Sequence, residues 1–346
     1  MTTQPLAIVG SGMVCGVGLS APSACAAIRC GVDNFQETRF MDAGGEWIMG
    51  SSVPLEQPWR GATKLVKMLT MALRECIACD PTLSLEQVPI LLCVAEKDRP
   101  GRLTDLENLV FKGAQEELGV TFHARSEIIS EGRVGVASAL LSVRELLYKE
   151  RFLAAIIVGV DSLLIGQTLK IYEEWGRLLT SKNSNGFIPG ESASAVLVQR
   201  PKNGRKALLC VGLGLGEEKA TVLSENLPLR ADGLVAAIHC ALADASYDLG
   251  DTDFRITDIS GEQYFFKEAA IALSRTLRRH KEEYDLWHPA DCIGEVGAAI
   301  GPAILTVILA AMRKNYCPGN NVLGHLSNDG GMRVAMILSH QCEGAV

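Results

Sequence analysis

Short apolar runs alternate along this chain with longer segments whose apolar positions recur at helical spacing. The first pattern predicts buried strands and the second predicts helices packed on one face. Leu6 to Val9 reads as a strand entering a glycine turn at Gly10-Ser11-Gly12. Pro22 to Ile28 reads as a helix capped by Ser20. Further helices are expected over Thr63 to Cys79, Leu103 to Leu118 and Val134 to Tyr148. Strands are expected at Val88 to Ala95, Ile128-Ile129, Leu153 to Val160 and Ser192 to Val198.

The turn cluster Pro201-Lys202-Asn203-Gly204 then separates two apolar segments. Beyond it the order recurs. Strands are expected at Ala207 to Leu215, Phe254 to Ile259 and Arg333 to Leu338. Helices are expected at Ala231 to Ala243, Phe266 to Arg279 and Val296 to Arg313. Alternating strands and helices imply α/β layers with helices on the sheet faces. The repeated order suggests two duplicated halves, residues 1–203 and 204–346. A length of 346 residues fits two packed halves better than one simple core.

Composition narrows the function classes. Apolar residues are 48% and charged residues 21%, which excludes a disordered chain. The net charge is −7, and the densest basic cluster, Arg278-Arg279-His280-Lys281, runs directly into Glu282 and Glu283. No nucleic-acid groove is expected from such a pattern. The eleven cysteines form no spaced framework, and Cys76-Ile77-Ala78-Cys79 has no second pair to complete a zinc site. Neither a metal nor a cofactor is expected. Gly10-x-Gly12 does not complete a dinucleotide loop. No Lys or Arg precedes Arg29, and glycines and Pro22 break the apolar N-terminus, so neither a signal peptide nor a membrane span is expected. Reduced thiols in a cytoplasm are the expectation.

Four motifs carry a resemblance. The opening Ala7-Ile-Val-Gly-Ser-Gly-Met-Val-Cys-Gly-Val-Gly18 resembles the first strand and glycine turn of the β-ketoacyl synthases, within the thiolase-like superfamily. Asn185-Gly186-Phe187-Ile188-Pro189-Gly190-Glu191 resembles that family's Asp-Gly-Phe-x-x-Gly-Glu segment. Cys292-Ile293-Gly294-Glu295-Val296-Gly297-Ala298-Ala299 resembles its Asn-Ile-Gly-His loop before a helix. Leu326-Ser327-Asn328-Asp329-Gly330-Gly331 resembles the closing glycine turn. The four fall in order across nearly the whole chain. The resemblance implies a thiolase-like, five-layered α/β/α/β/α fold of two duplicated halves, and a homo- or heterodimer.

The family's chemistry needs a cysteine at a helix N-terminus and two histidines that stabilise an enolate. By resemblance, the nucleophile turn falls on Ile129-Ser130-Glu131-Gly132-Arg133-Val134-Gly135. The cysteine position is Gly132, or Glu131 if the register shifts by one. The first histidine becomes Ser260, with Glu262, Tyr264 and Glu268 completing that motif. The second histidine becomes Glu295, and the supporting lysine becomes Ala290. Glu131, Glu262 and Glu295 are expected to crowd negative charge into the pocket, with Arg133 placed to neutralise one of them. A structural ion pair closing the pocket is the favoured expectation. Cys93 and Cys292 are the cysteines a misplaced register would offer, and His288 and His325 lie near the site segments.

The expectation for function is therefore a non-catalytic ketosynthase-like scaffold or adaptor that works through protein contacts. A role in loading bacterial type VI secretion effectors is one form of it, with an effector or secretion component as the protein partner. One alternative is a partner subunit of an active ketosynthase in fatty-acid or polyketide synthesis. Another is an acyl-thioester decarboxylase or hydrolase that uses Glu131, Glu295 or Ser260. The chain is shorter than a usual ketosynthase, with the loss placed at Asp42 to Thr63 and Ser162 to Asn185. That loss argues against an acyl tunnel.

Overall fold

The computed structural model describes residues 4–202 and 206–342. The first half runs β1 Leu6–Cys15, α1 Ala21–Arg29, β2 Gln36–Met41, β3 Trp47–Gly50, α2 Gly61–Ile77, β4 Ile90–Cys93 and α3 Leu106–Leu118. It continues β5 Glu127–Ile129, α4 Gly135–Tyr148, β6 Ala154–Ser162, α5 Gly166–Glu174 and β7 Glu191–Gln199. The second half runs β8 Lys206–Glu217, α6 Asp232–Ala245, β9 Phe254–Thr257, α7 Gln263–Thr276 and β10 Leu286–Trp287. It closes with α8 Ala290–Ile293, α9 Ile300–Arg313, β11 Asn321–Ser327 and β12 Met332–Cys342. Of the turn expected to divide the halves, Asn203 and Gly204 lie outside the described residues.

Ten strands form one sheet in the order β10-β9-β11-β12-β8-β1-β7-β6-β4-β5. The seam is β1 against β8, antiparallel, with Ala7 opposite Leu209. Read outward from that seam, each half has its first strand, then its fifth, fourth, second and third. The pairing senses repeat too: β7 with β6 and β12 with β11 are antiparallel, while β6 with β4 and β11 with β9 are parallel. The two halves are therefore duplicates in topology.

Period-two side-chain alternation assigns the faces. On β7, Val196 and Val198 join the central core while Ala195 and Leu197 join an outer one. On β12, Val334, Met336 and Leu338 face the centre while Ala335 and Ile337 face the other outer core. Helices α4 and α9 fill the centre, α2 and α3 cover one outer face, and α6 and α7 cover the other. The result is five layers, α/β/α/β/α. Helix α9 is buried from Ile300 to Leu309 on all sides, as a helix enclosed between the two halves of the sheet must be. Ser20 caps α1 through a reciprocal pair with Ser23, as its position before the apolar run predicts.

The expected turn at Gly10-Ser11-Gly12 is absent. Strand β1 continues through it to Cys15, with Gly12 opposite Ala195. Helix α2 crosses there so closely that a Cβ on Gly12 would lie 2.2 Å from the Ala72 carbonyl oxygen. The glycines admit a neighbouring backbone and do not turn the chain. The pairs β2–β3 and β11, and the helices α5 and α8, add elements that the apolar pattern does not predict.

Candidate functional site

Helices α4 and α9 begin side by side at one end of the central layer. Each is preceded by a 3-10 turn, Gly132–Val134 and Gly297–Ala299. Both turns open on a glycine with left-handed backbone, Gly132 at φ +57° and Gly297 at φ +52°. The loops that follow β4, β6 and β9, and the β11–β12 turn, bring charged side chains over these two helix starts.

Arg133 is 6% exposed and lies at the centre of the charges. It donates to Glu295 at 3.2 Å and to Asp329 at 2.7 Å, and stands 3.8 Å from Asp258. Arg177 forks onto Glu262, with its two contacts at 2.7 and 2.8 Å, and also donates to Asp329. Arg99 donates to Asp161 at 2.6 Å. Glu295 additionally accepts from Ser260 Oγ at 2.9 Å and from the Gly297 N–H at 3.0 Å. Its backbone is pinned to the loop before β7, where Glu295 N donates to Ile188 O and Gly190 N donates to Glu295 O, both at 2.8 Å.

Burial and pairing pull these carboxyls apart in acidity. Burial pushes Asp258 up to about 6, against the pull of Arg133. Burial also raises Glu96 and Glu262. Asp329 is lowered to about 2: burial opposes that shift, and Arg133 and Arg177 together overcome it. Between the side chains remains a cavity of about 20 Å³, lined by Glu96, Arg99, Arg133, Tyr172, Glu295 and Asp329 among others. That is room for about one water and no acyl chain.

The sequence-predicted positions divide. Gly132, Ser260, Glu262 and Glu295 converge on this network. Glu131 does not: it is exposed, and its carboxylate accepts from Ser138 Oγ at 2.7 Å on the first turn of α4. The crowding expected of Glu131 with Glu262 and Glu295 is therefore corrected, because the backbone turn at Gly132 sends the two neighbours to opposite sides. Glu268 belongs to a separate buried pair, with Arg333 at 2.8 Å, and Tyr264 hydrogen-bonds the same arginine. His288 pairs with Asp291 at 2.9 Å, away from the network. His325 is buried against Thr257, at 3.1 Å, and burial lowers it to about 3, so it stays neutral. Burial raises the Cys93 thiol and pushes Cys292 up to about 11, which disfavours a thiolate at either. Ala290 is buried at the start of α8. Cys76 is buried and Cys79 exposed, both as free thiols.

Sequence reasoning missed Glu96, Arg99, Arg177, Asp258 and Asp329. The available signal was position: each follows a strand or helix end on the same side of the sheet as the glycine turns.

No family model matches the sequence, and no curated protein matches it. The solved structures decide the fold. A ketosynthase in complex with its chain length factor from Xenorhabdus doucetiae aligns over 98% of this chain and 98% of its own, with a TM-score of 0.75 and 13% identity. This chain has the ketosynthase fold. A type II PKS acyl-carrier protein in complex with its ketosynthase bound to the hexaketide gives a TM-score of 0.80 at 13% identity, over 98% and 100% of the two chains. A β-ketoacyl synthase from Burkholderia phymatum gives 0.72 at 14%, over the same shares. The thiolase-like architecture implied by the four motifs is thus the observed one. Among the described residues, no helix of this ketosynthase-like chain is long and apolar enough to cross a membrane.

Proposed function

We propose that this chain is a non-catalytic subunit of ketosynthase fold that acts through protein–protein contact, with a cysteine-bearing ketosynthase as its partner. The observation that carries the reading is Gly132. It opens the turn into central helix α4, offers no side chain, and has its Cβ position filled by the Glu96 carboxylate at 2.0 Å. The small, ion-paired cavity beside it supports the same reading, since it leaves no space for an acyl group. One similar structure is a ketosynthase with its chain length factor, and another is a complex with an acyl-carrier protein, which favours a protein partner from such systems.

Carboxylate-driven hydrolysis finds less support. Glu295 already accepts from Arg133, Ser260 and the Gly297 N–H, which leaves little capacity to take a substrate proton. Nothing among the similar structures named here is a secretion component, so the effector-loading form of the adaptor reading has no observation behind it.

Isolation of the tagged chain from its native cells tests the proposal. Stoichiometric recovery with a ketosynthase that carries the active-site cysteine supports it. Recovery alone, or with a secretion component, contradicts it.

A further inference from the structure

A second cavity, of about 410 Å³, opens on the first half between the β2–β3 hairpin, the start of α2 and the loop from β6 into α5. It shares no lining residue with the small cavity beside Arg133. Its volume falls within the range of about 300–1,000 Å³ that holds small organic molecules. Phe40, Leu55, Trp59, Leu103, Leu164 and Ile165 wall it, and each is only half-buried. These side chains leave apolar surface facing the cavity, which an apolar body stabilises by covering.

The charges of the cavity decide the sign of what it takes. Its one buried carboxylate, Glu191, is spent inward. Oε1 accepts from Lys64, from Ser52 Oγ at 3.0 Å and from the Val53 N–H at 2.9 Å, and Oε2 accepts from Ser162 Oγ at 2.9 Å. That leaves no lone pair for a cationic ligand. The cations are less committed. Lys64 uses two of its three N–H bonds, on Glu191 and on Ser52 Oγ at 3.1 Å, and among the described residues the third has no acceptor. Arg39 and Arg60 line the same cavity, are exposed, and make no ion pair among the described residues. Glu37 is the remaining lining carboxylate, so three cations face two anions in a chain whose net charge is −7. Helix α2 adds to this local excess. Its Gly61 end lines the cavity with no side-chain cap and no acidic residue in the first turn.

We propose that this cavity is a binding site for a small amphipathic organic anion, an apolar body with one negatively charged head. The body lies against Trp59, Leu164 and Ile165. The head takes the free Lys64 N–H and the field of Arg39 and Arg60. Glu191 acts as a positioning residue: it fixes the Lys64 ammonium at the floor and neutralises only part of the local charge. The volume suits a small molecule and not a folded partner, so the inference is independent of the protein partner named above.

The test is calorimetric titration of the full chain with 2-naphthalenesulfonate, which is anionic at every working pH, and with the neutral 2-naphthalenemethanol. Saturable one-to-one binding of the sulfonate is expected, about tenfold tighter than the alcohol, a preference that shrinks as salt is raised. Lys64→Met would leave Glu191 buried without its cation, so the charge is removed at the rim instead. The double variant Arg39→Gln, Arg60→Gln is expected to weaken the sulfonate at least fivefold and to leave the alcohol unchanged. Ile165→Trp fills the cavity and is expected to abolish binding of both, which separates this site from basic side chains elsewhere on the surface. No saturable binding of the sulfonate overturns the proposal. So does equal affinity for the two probes, or sulfonate binding that survives either variant unchanged.

Discussion

Arg133 and Glu295 stand 162 positions apart in the chain and 3.2 Å apart in the fold. Each sits in the turn that leads into one of the two central helices. The contact joins the duplicated halves at their equivalent points. Every ion pair made by Arg133 and Arg177 follows the same rule, with the cation from the first half and the carboxylate from the second. The network is therefore a clasp between halves.

Removing the centre of that clasp strands buried charge. Arg133→Met leaves Glu295 and Asp258 enclosed without their cation. A loss of about 3–5 kcal/mol is expected, the range for breaking one side of a buried pair. Urea unfolding measures it. A loss below about 1 kcal/mol would mean that the arginine does not fasten the halves.

Asp258 makes stability depend on pH in a defined direction. Its folded value of about 6 lies above the ordinary 3.8. A raised folded value means that the native state binds the proton more tightly. The associated stability is complete below about pH 4 and is lost as pH rises through about 6. Asp258→Asn should flatten that segment of the stability–pH curve, with a change of at most about 3 kcal/mol. Asp329 acts oppositely: its lowered value gives stability that is present above about pH 4 and lost as pH falls toward 2. Urea midpoints across pH 4–8 in wild type and Asp258→Asn check the first sign.

The fold was legible because packing imposes periods on sequence. The buried strands β6 and β7 and the amphipathic helix α2 stand out as apolar runs or helical repeats. Strand β2, Gln36–Met41, was hidden because its residues alternate only between exposed and half-buried. Strand β11 was hidden by Gly324 and His325, which interrupt its apolar character. The site was harder. Glu295 and Ser260 were reachable because they replace residues in a motif with fixed spacing. Asp258, Arg177 and Asp329 have no period, and a charged residue in a loop reads as surface by default. The motif spacing places Glu131 in the cluster, whereas the left-handed backbone at Gly132 lets it turn outward to Ser138, a reversal that spacing does not reveal.

Gly297 tests the carboxylate-filled turn at the second helix. Gly297→Ala adds a Cβ 2.1 Å from Asp161 Oδ2 at a left-handed φ. The strain alone is expected to cost about 1–3 kcal/mol, and displacement of Asp161 from Arg99 adds to it. Thermal unfolding measures the loss. An unchanged midpoint would contradict the tight fit.

With Gly132 at the head of α4, this ketosynthase-fold chain should form no acyl-enzyme. Intact-mass analysis after incubation with excess acetyl and malonyl thioesters tests it most directly. The expected result is an unchanged mass, with no hydroxylamine-labile adduct. A stoichiometric acyl adduct on Ser260, Cys93 or Cys292 would contradict it.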